Sequence, residues 1–220
     1  MTKHKAGIIL SGCGYIDGAE IQESVITMLA VDRMGAEAVI AAPDIAQKHI
    51  VNHLTGRESA GETRNVLVEA ARIARGAVIP LKEMKESMYD VLLIPGGYGA
   101  AKNLSDFAFN GKNMTVLPEL EELIRDTYHK KKPIGFICIT PVIAAKVLGD
   151  GRLKLTIGND PETAAAINAM GGVHIDCPVN ECVIDKEHEI VSTPAYMLGP
   201  NIAGVAAGIE KLVNAVFNFL

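Results

Sequence analysis

Tryptophan is absent and aromatic residues make up 5% of the 220 residues, which argues against a stacking platform for single-stranded nucleic acid. No Lys/Arg block is long enough to track a phosphate backbone, and the formal charge is −5. The densest basic run, Lys130 to Lys132, closes an expected helix, where cations offset the dipole. No stretch reaches the roughly 18 to 20 apolar residues of a membrane span, so no membrane partner is expected. The segment from Met1 to Lys5 is polar and the apolar run after it is only strand length, so no secretory leader is expected. The four cysteines are then read as free thiols in a reducing, cytoplasmic setting. Cys177 and Cys182 do not form a CxxC pair, and no histidine stands beside them at zinc-ligand spacing, so no metal site is expected. Neither a GxGxxG followed by an acid at dinucleotide spacing nor a GxxxxGK[ST] loop is present, which sets aside nicotinamide and P-loop nucleotide sites.

What is present is an alternation of short apolar runs and longer periodic segments. Strands are expected at Gly7 to Leu10, Ala38 to Ala42, Ala77 to Leu81, Tyr89 to Ile94, Pro133 to Ile139 and Leu153 to Ile157. Helices are expected at Glu20 to Met34, Glu62 to Ala74, Leu117 to Lys131, Pro141 to Leu148, Glu162 to Met170 and from about Asn201 onward. Val183–Ile184 and Glu189–Ser192 read as a hairpin around a polar turn. Continuous apolar strands alternating with helices imply one α/β domain over 1–220, a doubly wound, mostly parallel sheet covered on both faces, with a small hairpin. Asn52 to Gly61 and Lys102 to Met114 are polar insertions, candidates for loops over a site.

Ligands of open parallel sheets gather at the carboxyl ends of the strands. Three such ends stand out: Ser11-Gly12-Cys13-Gly14, Pro95-Gly96-Gly97-Tyr98-Gly99, and Phe136-Ile137-Cys138-Ile139-Thr140-Pro141. Cys138 falls between a strand and a Pro-initiated helix. The turn would project its thiol, and the helix dipole would favour a thiolate. The competing reading is a buried structural cysteine. Gly96 and Gly97 either present N–H groups to a developing oxyanion or form a plain turn. Asp17, Glu20 and Glu23 either compensate the first helix dipole or place one acid inward. An acid beside a thiolate would have its pKa raised and could shuttle a proton. Cys13, at another strand end, could be a second reactive thiol in the same pocket.

These segments resemble the PfpI/ThiJ superfamily of the class I glutamine amidotransferase-like (flavodoxin-like) fold. Within it the chain is most similar to the isoprenoid biosynthesis glyoxalase family, also called enhancing lycopene biosynthesis protein. The residues concerned are Gly12 to Glu20, Asn52 to Gly56, Thr63 to Arg72, Pro95 to Leu104 and Thr193 to Met197. The resemblance implies a nucleophilic Cys138, a partner acid at Glu23, and oxyanion or substrate-binding positions at Gly96, Gly97 and Ile139. It implies a cofactor-independent glyoxalase or deglycase-like activity on a small dicarbonyl, without metal, in a homodimer. Many relatives carry His after the cysteine, whereas Ile139 stands here. His188 reads as an exposed turn residue, His53 as a loop residue, and His174 is unassigned. An amidohydrolase or amidotransferase would need such a base. A redox-responsive or small-ligand-binding module built on the same thiol is the non-enzymatic alternative.

Overall fold

The computed structural model describes residues 3–220. In chain order its strands are β1 (Lys5–Ile9), β2 (Glu37–Ala42), β3 (Val51–Asn52), β4 (Arg57–Glu58), β5 (Ile79–Pro80), β6 (Val91–Ile94), β7 (Ile134–Ile137), β8 (Lys154–Leu155), β9 (Val173–His174), β10 (Val183–Asp185) and β11 (Ile190–Thr193). The helices are α1 (Ile21–Arg33), α2 (Val66–Ile73), α3 (Tyr98–Lys102), α4 (Phe107–Asn110), α5 (Pro118–His129), α6 (Pro141–Leu148), α7 (Pro161–Ala169) and α8 (Ile202–Phe217).

The central sheet has the order β10-β11-β7-β6-β1-β2-β5, parallel throughout except for the β10–β11 hairpin. β6 and β7 are buried at every position, as continuous apolar runs demand when helices cover both faces. On one face α1, α2 and α8 enclose Ile26, Ala70, Ile209 and Leu212. On the other, α5, α6 and α7 enclose Leu120, Ile124, Ile143 and Ile167. The chain runs outward from β1 to β2 and β5, then returns to the other side of β1 with β6. The order therefore reverses between β1 and β6, and the crevice at that switch point lies at the carboxyl ends of the strands.

Most expected elements form, with boundaries moved by their caps. Glu20 and Asn65 cap α1 and α2, each accepting the N–H three residues on, at 2.6 and 3.0 Å. Asn65 thus starts α2 four residues later than the periodicity suggests, and Glu62 to Arg64 stay in a loop. The expected strand Leu153 to Ile157 shrinks to β8 and leaves the main sheet, pairing with β9 instead. The antiparallel β10 already occupies that edge. β8 and the residue after it are tethered there by side chains: Lys154 N–H donates to Asp185 (2.8 Å) and Thr156 N–H to Ser192 Oγ (2.9 Å). The expected strand through Ile139 stops at Ile137, because Cys138 takes a positive φ of 65°.

One hydroxyl ties this strand end together. Thr140 Oγ1 accepts the Ile137 N–H at 2.8 Å and lies 2.9 Å from the carbonyls of Ile94 and Ile137. It is fully buried and joins β6, β7 and the start of α6. Thr140→Val is expected to cost about 1–3 kcal/mol, because a buried N–H and carbonyl lose their partner. Urea unfolding measures this, and an unchanged midpoint would show that the hydroxyl contributes nothing.

Candidate functional site

Three strand ends and the first turn of α1 meet at the site. After β7 the chain turns through Cys138, whose N–H donates to the Thr193 carbonyl at the end of β11 (2.9 Å). A non-glycine residue at φ 65° is a strained position, held here by that bond and by Thr140. After β11, Ala195 also takes a positive φ, 45°, and this turn aims the next N–H, that of Tyr196, at Glu23. After β6, Gly96 aims its N–H at the same carboxyl. Glu23, on the first turn of α1, accepts from Gly96 (3.0 Å) on Oε2 and from Tyr196 (3.1 Å) on Oε1. Glycine at 96 is obligatory: a Cβ there would lie 2.4 Å from Cys138 Cβ and 2.8 Å from Glu23 Oε2.

The thiol and the carboxyl thus face each other across Gly96, within hydrogen-bonding range. Glu23 is completely buried. Desolvation first, and the charge of Glu20 second, push its pKa up to about 7, against the three hydrogen bonds that favour its ionised form. The N–H groups of Gly97 and Ile139 point at the sulfur. Neither is taken by a backbone carbonyl among the described residues. They favour a thiolate, but burial and the Glu23 carboxylate outweigh them, so the Cys138 thiol is held well above its ordinary pKa. The expected standing thiolate is therefore corrected. At rest the sulfur keeps its proton, and the neighbouring acid is the group that titrates near neutrality.

Cys138 opens onto a cavity of about 500 Å³, walled by Tyr15, Glu20, Tyr98, Phe107, Tyr196 and Met197 among others. Gly97 and Ile139 also line it, whereas Gly96 does not. No imidazole does. His53 accepts the Ile16 N–H (3.3 Å), lies 3.7 Å from Asp17 and packs edge-on against Tyr15. His174 is buried beside the Ile157 N–H, and that burial lowers its pKa. His188 is not a loose turn residue: it bonds Asp185 at 2.9 Å and stacks on Tyr128. Cys13 is half-buried, with its pKa raised by burial and by Glu69. It does not line the Cys138 cavity.

Of the two polar insertions, only the second reaches the cavity, through Phe107 and Ala108. The first folds as the β3–β4 hairpin, anchored where Val51 N–H donates to buried Asp17 (2.7 Å). The sequence offers Glu20 only as one of three candidate acids, and it gives no role to Tyr98 or to the Tyr196 N–H. Glu20 and Tyr196 come to the site through the α1 cap and the Ala195 turn, whose sequence signals are the segments Gly12 to Glu20 and Thr193 to Met197.

With this geometry in view, the relatives are decisive. No family model matches the chain. Human glutamine amidotransferase-like class 1 domain-containing protein 3, mitochondrial, is 41% identical over 221 residues, covering 96% of this chain and 82% of that protein. The rat ES1 protein homolog, mitochondrial, is 40% identical over the same length, covering 96% of this chain and 82% of its own. The chain belongs to the ES1 family of class I glutamine amidotransferase-like proteins. The ES1 protein of Danio rerio, also named mitochondrial, is 30% identical over 206 residues, covering 86% of this chain and 76% of its own length. The crystal structure of an isoprenoid biosynthesis protein with an amidotransferase-like domain from Ehrlichia chaffeensis superposes with a TM-score of 0.91. It is 41% identical and covers 98% of this chain and all of its own. A DJ-1 superfamily protein from Agrobacterium tumefaciens shares the fold at 16% identity, with a TM-score of 0.57, covering 98% of this chain and 89% of its own. The chain thus shares the fold of DJ-1-like proteins, with the mostly parallel sheet and small hairpin expected from its sequence.

In this ES1-family protein the raised Glu23 pKa has a consequence for stability. The value is about 7 folded against 4.5 unperturbed. Stability from the neutral carboxyl is fully present below pH 4.5 and is lost as pH rises through 7. The loss is about 3 kcal/mol. The unfolding free energy of the wild type relative to Glu23→Gln is expected to fall by that amount between pH 4 and 8. A pH-independent difference in denaturant titrations would mean that Glu23 titrates normally.

Proposed function

We propose that this protein is a glutathione-independent glyoxalase that converts glyoxal or methylglyoxal into the 2-hydroxy acid through Cys138. The observation that carries this reading is the buried acid–thiol pair: one carboxyl, poised near neutrality, flanking Gly96 with one protonated sulfur, which opens onto a cavity with no imidazole among its lining residues. Ionised Glu23 takes the thiol proton as sulfur adds to the aldehyde carbon. The Gly97 and Ile139 N–H groups hold the oxygen that gains charge. Glu23 returns the proton to that oxygen, giving a neutral hemithioacetal. It then takes the carbon-bound proton, the hemithioacetal hydroxyl proton passes to the neighbouring carbonyl oxygen, and Glu23 delivers its proton to the adjacent carbon, leaving a thioester. Water hydrolyses the thioester, releasing the hydroxy acid and the thiol. A single group serves as base and acid, which requires a pKa near the working pH. No metal or organic cofactor enters these steps. Deglycase-like turnover of dicarbonyl adducts needs the same sequence of proton transfers.

The amidotransferase reading lacks a base to protonate a leaving amine, since the cavity wall carries no imidazole. The redox-module reading needs an accessible thiolate, whereas Cys138 is 7% exposed and holds its proton.

Cys138→Ala is expected to abolish hydroxy-acid formation, and Glu23→Gln to lower it about 10²–10⁴-fold. Because the ionised carboxyl starts the reaction, kcat/KM should rise with pH and level off above about 7. Full activity in either variant, or a profile that falls through this range, would disprove the mechanism.

The homodimer finds its support on α1, where Ile21, Val25 and Leu29 are exposed at four-residue spacing on the face opposite Glu23. Val25→Glu is expected to halve the mass seen by light scattering. A wild-type mass of one chain would remove the dimer, and an unchanged dimer in the variant would move it to another face.

A further inference from the structure

The cavity over Cys138 is larger than its proposed small substrates require. A dicarbonyl of two or three carbons fills on the order of 100 Å³, a few water volumes, against about 500 Å³ available. That cavity also does not end at its own walls. Phe107 and Ala108 of α4 and Thr163 of α7 line it, and the same three residues line a groove of about 720 Å³ between those helices. Since both helices contribute to the shared boundary, the two spaces meet at the gap between α4 and α7.

Beyond the gap the groove is lined by Phe109 and by Ala165, Ala166 and Ala169. Ala166 and Ala169 are three apart and Ala165 and Ala169 four apart, so the three share one face of α7. Side chains of one carbon leave the space open that a leucine would fill. Lys112 and Glu162 are the charged residues of this groove, and their charges oppose each other. Nearer the sulfur, Glu20 and Asp160 make the wall acidic and no cation lines the cavity.

We propose that the substrate is a 2-oxoaldehyde carrying an uncharged apolar tail, aryl or branched alkyl. Its aldehyde meets Cys138 while the tail lies between α4 and α7. This rests on the Cys138 reading above and specifies its substrate class. An anionic tail is excluded by Glu20 and Asp160, and a bare two-carbon dicarbonyl leaves the groove unused.

The test separates the groove from the catalytic reading by using covalent labelling in addition to turnover. Labelling of Cys138 by N-benzyliodoacetamide and by iodoacetamide is followed by mass spectrometry in wild type, Ala166→Phe and Ala169→Leu, with circular dichroism confirming the fold. In the wild type the benzyl reagent is expected to react about 10–100-fold faster, the gain from burying one apolar ring. In either variant that advantage should shrink towards parity. Equal rates in the wild type, or an advantage untouched by both variants, would overturn the groove assignment. An advantage appearing only when the reagent is carried on a peptide would also overturn it, in favour of a protein substrate. Turnover is read in parallel. Phenylglyoxal exceeding methylglyoxal in kcat/KM supports the tail. Methylglyoxal turned over equally well refutes the tail and leaves the mechanism standing. No turnover of either, with the labelling preference intact, refutes the glyoxalase and leaves the groove.

Discussion

A carboxylic acid completely removed from water must find partners inside the protein, and Glu23 finds three. Two are backbone N–H groups, from Gly96 after β6 and Tyr196 after β11, and the third is the Cys138 thiol. Each partner comes from a different strand end, so the buried charge binds the carboxyl edge of the sheet together. Satisfying it fixes the turn after β6, the reversed φ of Ala195 and the direction in which the sulfur points. The hydrogen bonds favour ionisation, while desolvation and Glu20 oppose it. The balance between them leaves the proton mobile near neutrality.

That balance also explains why the thiol alone is a poor guide to the chemistry. A cysteine ahead of a helix, with two N–H groups aimed at its sulfur, has the features of a standing thiolate. Here burial and the facing carboxylate outweigh those features. In the proposed mechanism the nucleophile is generated when the acid accepts its proton, which couples thiol activation to the protonation state of one neighbour. Cys13 illustrates the contrast. It also sits at a strand end, but Gly97 and Ile139 serve Cys138, and Cys13 lies outside the reactive cavity, near Glu69 and Arg72.

Much of the architecture was legible because apolar periodicity reports burial. Runs such as Val91–Ile94 and Ile134–Ile137 are buried on both faces and announce a covered parallel sheet. Pro141 announces the start of α6 to the residue. Periodicity failed where side chains, not backbone pattern, decide the outcome. Asn65 delayed α2 by capping it, and the Asp185 and Ser192 side chains held β8 outside the main sheet. The hairpin over Asn52 to Gly61 was missed because its two-residue strands carry little apolar signal and depend on buried Asp17.

The sequence by itself determined the fold class and the three glycine- or cysteine-bearing strand ends, and it narrowed the acid to Asp17, Glu20 or Glu23 and the thiol to Cys138 or Cys13. These follow from local patterns: burial periodicity, turn chemistry and motif. Tertiary structure alone decided which acid turns inward, which thiol shares its proton, and that no histidine joins them. Glu20 and Glu23 are three residues apart on one helix, yet one lines a cavity wall and the other is sealed beneath it. Their pKa values and roles depend on how far water is excluded and on which distant N–H groups arrive, and no local pattern encodes either.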